Sequence, residues 1–188
     1  MRNSPRSLVG LLCIGLLNLG SLAGAAEAEK TFQVAGGKLS MEVPADWKVI
    51  QPRVRIIEHE FSAPAVEGDS ADGRVTVMGA GGSVEENIDR WIGQFSQPDG
   101  GSTKERAKIE KKTIAGQEVH LVDLAGAYAD RPAPFLPQAI ERPDYRMLAA
   151  IIMTEADGNY FVKFYGPAKT VAAHEQAFHQ MIGSLTVR

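Results

Sequence analysis

The sequence is nearly free of cysteine and has no run of lysine and arginine. Its one cysteine, Cys13, lies in the apolar stretch near the N-terminus, so the rest of the chain has no residue that could form a disulfide or act as a thiol nucleophile. The formal net charge is −3 at pH 7. Because binding to nucleic acid depends on neutralising phosphates, nucleic acid is a poor partner for this chain.

Sequence patterns of several enzyme classes are also missing. There is no G-x-S-x-G, the usual turn that carries a nucleophilic serine. The stretch "VTVMGAGGSVEENI" lacks the last glycine of G-x-G-x-x-G, and no G-K-S/T follows it. Glu85 and Glu86 would also repel a phosphate at the start of the following helix. We interpret this stretch as a strand, a tight turn and the beginning of a helix.

The stretch "AAHEQAFHQMIG" approaches the H-E-x-x-H of zinc peptidases but does not match it. His174 and His179 are five positions apart, which places them about 140° apart around one continuous helix. We therefore expect a half-buried His174 and a solvated His179. A metal site would need a third ligand from His59 or His120, and this alternative stays open.

Two carboxylates flank another histidine. Glu58 and Glu60 surround His59 in "RVRIIEHEF", which we interpret as a strand. Alternation along a strand would place both glutamates on one face. We expect a solvated sheet edge here, and metal binding or acid–base chemistry is the alternative.

The N-terminus has the pattern of a secretory signal. Arg2 and Arg6 precede an apolar core, Leu8–Leu22, that is shorter than the ~20 residues of a membrane-spanning helix. Small residues place the cleavage after Ala25, with Ala28 as the alternative. Removal of this signal leaves 18 of the 20 basic residues against 23 acidic ones. The sequence thus predicts an exported protein, periplasmic or extracellular, that does not span the membrane after cleavage.

The remaining chain is predicted to be a polar lead, 26–30, and one α+β domain, 31–188. Short alternating strands suggest hairpins, and Trp47 is expected to close an edge of the core. "YRMLAAIIMTE" is apolar without alternation, which is typical of a strand covered on both faces. Amphipathic helices are predicted at about 83–95, with a capping box at Ser83, and at about 168–183. The predicted fold is an antiparallel β-sheet sandwiched by these two main α-helices.

A proline-rich segment, Ala129–Asp144, is too rich in proline for a helix or a central strand. Long loops of this kind are often functional. The aromatic and basic residues that could form a partner-binding surface there are Tyr128, Arg131, Phe135, Arg142, Tyr145 and Arg146. The alternative is a strap that only covers one end of the sheet.

Three stretches, "KLSMEVPADWKV", "GGSVEENIDRWIGQF" and "GNYFVKFYGPAKTVAAHEQAFHQMIGSL", resemble exported bacterial proteins of the PsbP-like fold class. The resemblance covers about residues 31–187 and implies an antiparallel sheet between helices. It implies no cofactor and no catalytic residue, and it favours a binding or accessory role toward a protein or envelope component. A metal- or small-ligand-binding protein, including a hydrolase, that uses His59, His120 or the loop is the alternative.

Overall fold

The structure is a computed structural model that describes Met1 and residues 31–131, 138–154 and 158–188. The strands of these residues are β1 (Thr31–Val34), β2 (Leu39–Glu42), β3 (Lys48–Ile50), β4 (His59–Ala63), β5 (Gly73–Ala80), β6 (Phe95–Ser96), β7 (Lys108–Ile114), β8 (Gln117–Asp130), β9 (Ile140–Thr154), β10 (Gly158–Pro167) and β11 (Thr186–Val187). The helices are α1 (Val84–Ile92), α2 (Thr103–Arg106), α3 (Ala168–Ala173) and α4 (Glu175–Gly183). The predicted signal with its Ala25 cleavage site, the polar lead and Phe135 lie outside these ranges.

The main sheet is antiparallel and has the order β3-β4-β5-β10-β9-β8-β6, with β7 paired to the first half of β8. A second, three-stranded sheet has the order β1-β2-β11. The predicted hairpins β1–β2 and β7–β8 are confirmed. The centre of β9, from Met147 to Ile152, is buried on both faces, as its continuous apolar run predicted.

One face of the main sheet, here called the α4 face, packs against α3, α4 and the small sheet. Trp47, 1% exposed, fills the edge of this core as predicted, and its ring centroid lies 5.3 Å from that of Phe164. Other buried residues in this layer include Phe61, Val75, Val77, Leu148, Val162, Phe178, Met181 and Ile182. The helices and the small sheet thus cover aliphatic and aromatic residues from every central strand.

The opposite face, called the α1 face, packs against α1. The Ser83 hydroxyl accepts a hydrogen bond from the Glu86 backbone N–H at 3.1 Å, and the Glu86 carboxylate accepts one from the Ser83 backbone at 3.0 Å. This confirms the predicted capping box. The helix buries residues that include Ile88 and Trp91, and the Trp91 ring meets Phe161 edge-on at 5.2 Å. It ends at Ile92, because the following chain turns into the short strand β6.

Three local predictions are wrong. The C-terminal helix is divided at His174 (φ −100°, ψ 8°), whose ring is held by residues outside the helix. Residues 53–58 do not belong to β4, since Ile57 N–H closes a turn on Val54 O and strand propensity depends on context. Pro143 lies within β9, where its missing N–H is tolerated because β10 pairs with β9 only from Tyr145 onward.

Candidate binding surface

Three tyrosines from neighbouring strands meet on the α1 face. Tyr128 on β8 and Tyr145 on β9 lie nearly parallel, with centroids 6.1 Å apart and 6° between the ring planes. Tyr165 on β10 lies 5.3 Å from Tyr128 and is tilted by 48°. Because neighbouring strands place side chains of matching phase on one face, the sheet register itself forms this tyrosine cluster. Tyr128 is buried, whereas Tyr145 and Tyr165 remain partly exposed.

An ion pair borders the tyrosine cluster. Arg74 on β5 donates two hydrogen bonds to the Glu60 carboxylate, at 2.8 and 3.0 Å, and a third to the Tyr165 hydroxyl at 2.6 Å. The hydrogen bond to Glu60 is the main cause that raises the pKa of the Arg74 guanidinium above its usual value, and the bond to Tyr165 adds to it. Glu60 is 9% exposed, so its predicted place on a solvated edge is wrong. The reason is that β3 pairs with β4 and makes β4 an internal strand.

Lys163 lies beside the tyrosine cluster, in the middle of β10. Its ammonium is 5.5 Å from the centroid of the Trp91 ring and 5.6 Å from that of Tyr165. Within the described residues, no carboxylate lies within ion-pair distance of it. Burial, together with the smaller effect of the neighbouring charges of Arg90 and Arg74, lowers the pKa of Lys163 to about 8. A carboxylate brought in by a partner would restore this lost charge stabilisation.

Burial also raises the pKa of two of the tyrosines. For Tyr128 and Tyr165, loss of solvent is the main cause, and it disfavours the phenolate. Both rings are therefore neutral at physiological pH. They offer apolar area together with hydroxyl groups, which is the combination that makes tyrosine common at protein interfaces.

A cavity of 330 Å³, here called the arginine pocket, adjoins the tyrosine cluster. Its lining consists of Arg90, Gly93, Gln94, Tyr128, Ala129 and Arg131. The Ala129 N–H donates to the Gln94 carbonyl at 2.8 Å and so holds the wall together. Arg90 also donates to the Asn87 side-chain oxygen at 2.6 Å. The pocket therefore presents two guanidinium groups next to an aromatic ring.

The residues predicted from the proline-rich segment divide between the two faces. Tyr128 and Tyr145 form the tyrosine cluster, and Arg131 lines the arginine pocket. Arg142 lies near the same sheet end and donates to the Asp130 carboxylate at 3.3 Å. The prediction is wrong for Arg146, because this residue lies on the α4 face.

On that face, Arg146 donates to Asp123 at 2.8 and 2.9 Å and to Glu175 at 2.8 Å. Tyr145 and Arg146 are adjacent in β9, so strand alternation sends their side chains to opposite sides of the sheet. Arg146 therefore joins the sheet to α4 and has no place in the candidate binding surface.

Sequence reasoning missed Arg74, Lys163 and Tyr165, which complete the surface. They lie on β5 and β10, outside the proline-rich segment, and the pairing of β5 with β10 (Arg74↔Tyr165) and of β10 with β9 brings them to it. One signal was present. Lys163 and Tyr165 alternate with Val162 and Phe164 in "YFVKFYG", and a lysine in a central apolar strand is rarely buried without a reason.

The four histidines are held separately. His59 lies on the α4 face, where its ring centroid is 5.0 Å from that of Phe32. Its Nε2 contacts the Gln33 carbonyl oxygen at 2.8 Å. His120 lies on the α1 face, 2.7 Å from Glu118. Strands β4 and β8 are four positions apart in the sheet, roughly 19 Å at the usual spacing.

His174 is intermediate in exposure, in line with the half-buried residue expected. Its Nδ1 accepts a hydrogen bond from Trp47 Nε1 at 3.3 Å, and its Nε2 donates to the Pro64 carbonyl at 3.0 Å. His179 is 43% exposed at its side chain, also as expected. Across the described part of the chain, no group of three or more histidine, cysteine or acidic side chains could hold a metal ion. In the same residues, no helix has the length and apolar character needed to cross a membrane.

A second cavity, of 490 Å³, lies on the α4 face between α4 and β7. Its floor is apolar and includes Ile114, Leu121 and Phe178, whereas lysines and carboxylates of β7 and α4 form the rim. Several rim charges already pair with one another, such as Lys112 with Glu110 at 3.0 Å. We call this cavity the α4 cleft.

Comparison with known proteins places the fold. A solution structure of cyanobacterial PsbP (CyanoP) from Synechocystis matches with a TM-score of 0.52 at 11% identity, covering 90% of this chain and 99% of that one. The fold is PsbP-like. LpqN of Mycobacterium tuberculosis, described as involved in cell envelope biogenesis, matches with a TM-score of 0.49 at 9% identity over 87% of each chain. The yeast Ran-binding protein Mog1p has a TM-score of 0.44 at 14% identity, over 85% and 95%.

No protein-family model and no curated protein matches the sequence. The expected fold class is thus confirmed, and the likeness extends to the fold alone. The function has to be argued from the residues of this chain.

Proposed function

We propose that this protein is a non-catalytic, exported binding or accessory module that recognises a protein or envelope partner on its α1 face. The observation that supports the proposal is the tyrosine cluster, which lies between Lys163 and Arg74 on one side and the arginine pocket on the other. Tyrosine and arginine are the residue types enriched at the energetic centres of protein interfaces.

The charges of this surface favour a partner with carboxylates next to apolar side chains. Lys163 is unpaired within the described residues and partly desolvated, so a partner carboxylate would meet a cation that has already lost much of its water. Arg90 and Arg131 add two further cations in the arginine pocket. Tyr145 and Tyr165, both partly exposed, supply the apolar contact area.

Partner capture with matched variants tests this proposal. The purified protein is immobilised and exposed to envelope fractions, in parallel with Lys163→Met, Tyr145→Ala and the control Lys104→Met. Lys104 is 71% exposed, lies in α2 and is paired with Asp89, so it is an exposed cation that contacts none of the three tyrosines. We expect a partner whose capture falls at least fivefold in the first two variants and is unchanged in the control. Equal capture by all four proteins would contradict the proposal.

The α4 cleft favours a second candidate function, the binding of a small apolar ligand. Its 490 Å³ lies within the usual size range of ligand pockets, and its floor is apolar. A thermal-shift screen with lipids, sugars, nucleotides and metals tests this function. A ligand at 100 times its dissociation constant stabilises the protein by ~2.7 kcal/mol. The shift should disappear in Leu121→Trp, which fills the cleft; a shift that persists there would place the ligand elsewhere.

A further inference from the structure

Strand β3 and its connection to β4 expose a concentration of aliphatic side chains. Val49 and Ile56 are each 67% exposed, Val54 is 50% exposed and Ile50 is 38% exposed. Other large exposed apolar residues, such as Ile109 on β7 and Ile140 at the start of β9, occur singly along the described chain. Scattered apolar residues are normal on a protein surface, whereas a contiguous group indicates an interaction site.

Cations alternate with these aliphatic residues. Arg53 and Arg55 flank Val54, and Lys48 precedes Val49. In the part of the chain that the structure describes, neither arginine has a carboxylate within ion-pair distance. Most other described lysines and arginines do have one, as in the pairs Arg74–Glu60, Lys104–Asp89, Arg106–Asp99, Lys111–Glu118, Arg142–Asp130 and Arg146–Asp123.

The shape of this connection is a hairpin tip at the edge of the sheet. Ile50 pairs with Glu60, so the chain between them leaves the sheet and returns, closed by the turn from Ile57 N–H to Val54 O at 3.1 Å. We call residues 48–57 the β3–β4 tip. Eight of these ten residues are exposed and the other two are intermediate. Because eight of its ten residues are exposed, the tip offers its aliphatic and basic side chains directly to the surroundings of the protein.

We propose that the β3–β4 tip docks on the surface of a bilayer that contains anionic phospholipid. Arg53, Arg55 and Lys48 would contact the headgroup phosphates, and Val54 and Ile56 would enter the boundary between headgroups and acyl chains. Exposed aliphatic side chains interleaved with cations suit a lipid surface, since its acyl chains take up the former and its phosphates the latter. The chain as a whole carries a net charge of −3, so an anionic surface would repel most of it and attract this tip, which orients the protein.

Vesicle co-sedimentation tests the proposal with purified protein whose N-terminus has been determined, so that an unprocessed apolar N-terminus is not measured instead. Vesicles of phosphatidylcholine alone are compared with vesicles that also contain phosphatidylglycerol. We expect binding to the anionic vesicles, weakened by added salt because exposed charges are screened. At about fivefold per basic residue near such a surface, Arg53→Gln with Arg55→Gln should lower the partition coefficient by roughly 30-fold.

Matched variants separate the tip from general effects of charge and hydrophobicity. Lys104→Gln with Arg106→Gln removes two exposed cations from α2 and should change binding much less than the tip variant does. Val54→Asp with Ile56→Asp should abolish binding, whereas Ile109→Asp should preserve it. These positions are exposed, so circular dichroism should show that all variants fold.

Three results would overturn the proposal. They are no sedimentation with anionic vesicles, equal sedimentation with uncharged vesicles, and equal loss in the tip and α2 variants. Crosslinking of the tip to a protein in cells, together with no vesicle binding in vitro, would also overturn it and would assign the tip to a protein partner.

Discussion

The two faces of the main sheet are built from the same strands and differ in what they carry. On the α4 face, Phe164 and Val162 are 0% exposed and lie under helices and the small sheet. On the α1 face, the intervening residues of β10, Lys163 and Tyr165, are partly exposed beside Arg74. On the α4 side, β10 therefore belongs to a sealed core, and on the α1 side Phe161 is buried while Lys163 and Tyr165 contribute to a charged aromatic surface.

This difference indicates that the two faces have different roles, one in stability and one in the candidate binding surface. Burial of apolar area is the main stabilising term in folding, and the α4 face supplies most of the fully buried large side chains. The α1 face keeps partly desolvated charged and phenolic groups, and well-packed aliphatic residues of similar volume often stabilise a fold as much as such groups or more. Substitutions on the two faces should therefore differ in kind as well as in size.

The largest difference is expected between Phe164→Ala and Tyr165→Ala. Loss of a fully buried phenylalanine should lower the free energy of unfolding by about 3–5 kcal/mol. Loss of the partly exposed tyrosine should cost roughly half as much or less, since part of its ring already meets water. Urea unfolding of both variants measures the two values. Equal losses would mean that the α1 face is as structural as the α4 face.

The ion pair of the α1 face should give the next largest effect. Arg74→Met leaves the Glu60 carboxylate buried without its partner and removes the hydrogen bond to Tyr165. We expect a loss of about 1–3 kcal/mol in the free energy of unfolding, reduced by the partial exposure of Arg74. The double variant Glu60→Gln, Arg74→Met should recover part of this loss. A double variant as unstable as the sum of the two single ones would show that the pair is not coupled.

Lys163 should make stability depend on pH. Its pKa falls from the usual 10.5 to about 8 in the folded protein, so between these values the unfolded chain holds more protons. This residue therefore makes the free energy of unfolding rise as pH increases from about 8 toward 10.

Urea unfolding at several pH values measures this slope, and Lys163→Met should reduce it while Lys104→Met leaves it unchanged. Tyr128 and Tyr165 have raised pKa values, so above the usual tyrosine pKa the unfolded chain loses their protons first. Their effect is that the free energy of unfolding falls as the pH rises through that range. A difference between the wild type and Lys163→Met that does not vary with pH would contradict the account.

The smallest effect is expected for an exposed ion pair between α1 and α2. Lys104 contacts Asp89 at 2.9 Å with both side chains more than half exposed. Lys104→Ala should change the free energy of unfolding by about 0.5 kcal/mol or less. Thermal unfolding checks this value, and a loss near that of Arg74→Met would remove the distinction between buried and exposed pairs.

Much of the fold could be predicted because its signals are local. The capping box at Ser83 depends on residues three positions apart, and the hairpin of β7 and β8 on alternation around one turn. The break at His174 could not be predicted in this way, since it depends on Trp47 and Pro64, more than a hundred residues away. Pro143 in β9 depends likewise on where β10 ends.

The candidate binding surface was predictable only in part, for the same reason. Tyr128 and Tyr145 flank one segment and could be grouped from their positions in the chain. Arg74, Lys163 and Tyr165 join them through the pairing of β5, β10 and β9, and this register is visible only in the folded sheet. Tyr145 and Arg146 are adjacent in the chain but lie on opposite faces of the sheet. Assigning each of them to its face requires knowing which residues of β9 point to which side.

Site-specific photocrosslinking in cells tests the central claim most directly. A photoreactive residue replaces Tyr145 on the α1 face or His179 beside the α4 cleft, both of which are accessible to solvent. The account predicts a discrete crosslinked partner from position 145 and none of the same mass from position 179. The same partner from position 179 alone, or from both positions equally, would contradict the assignment of binding to the α1 face.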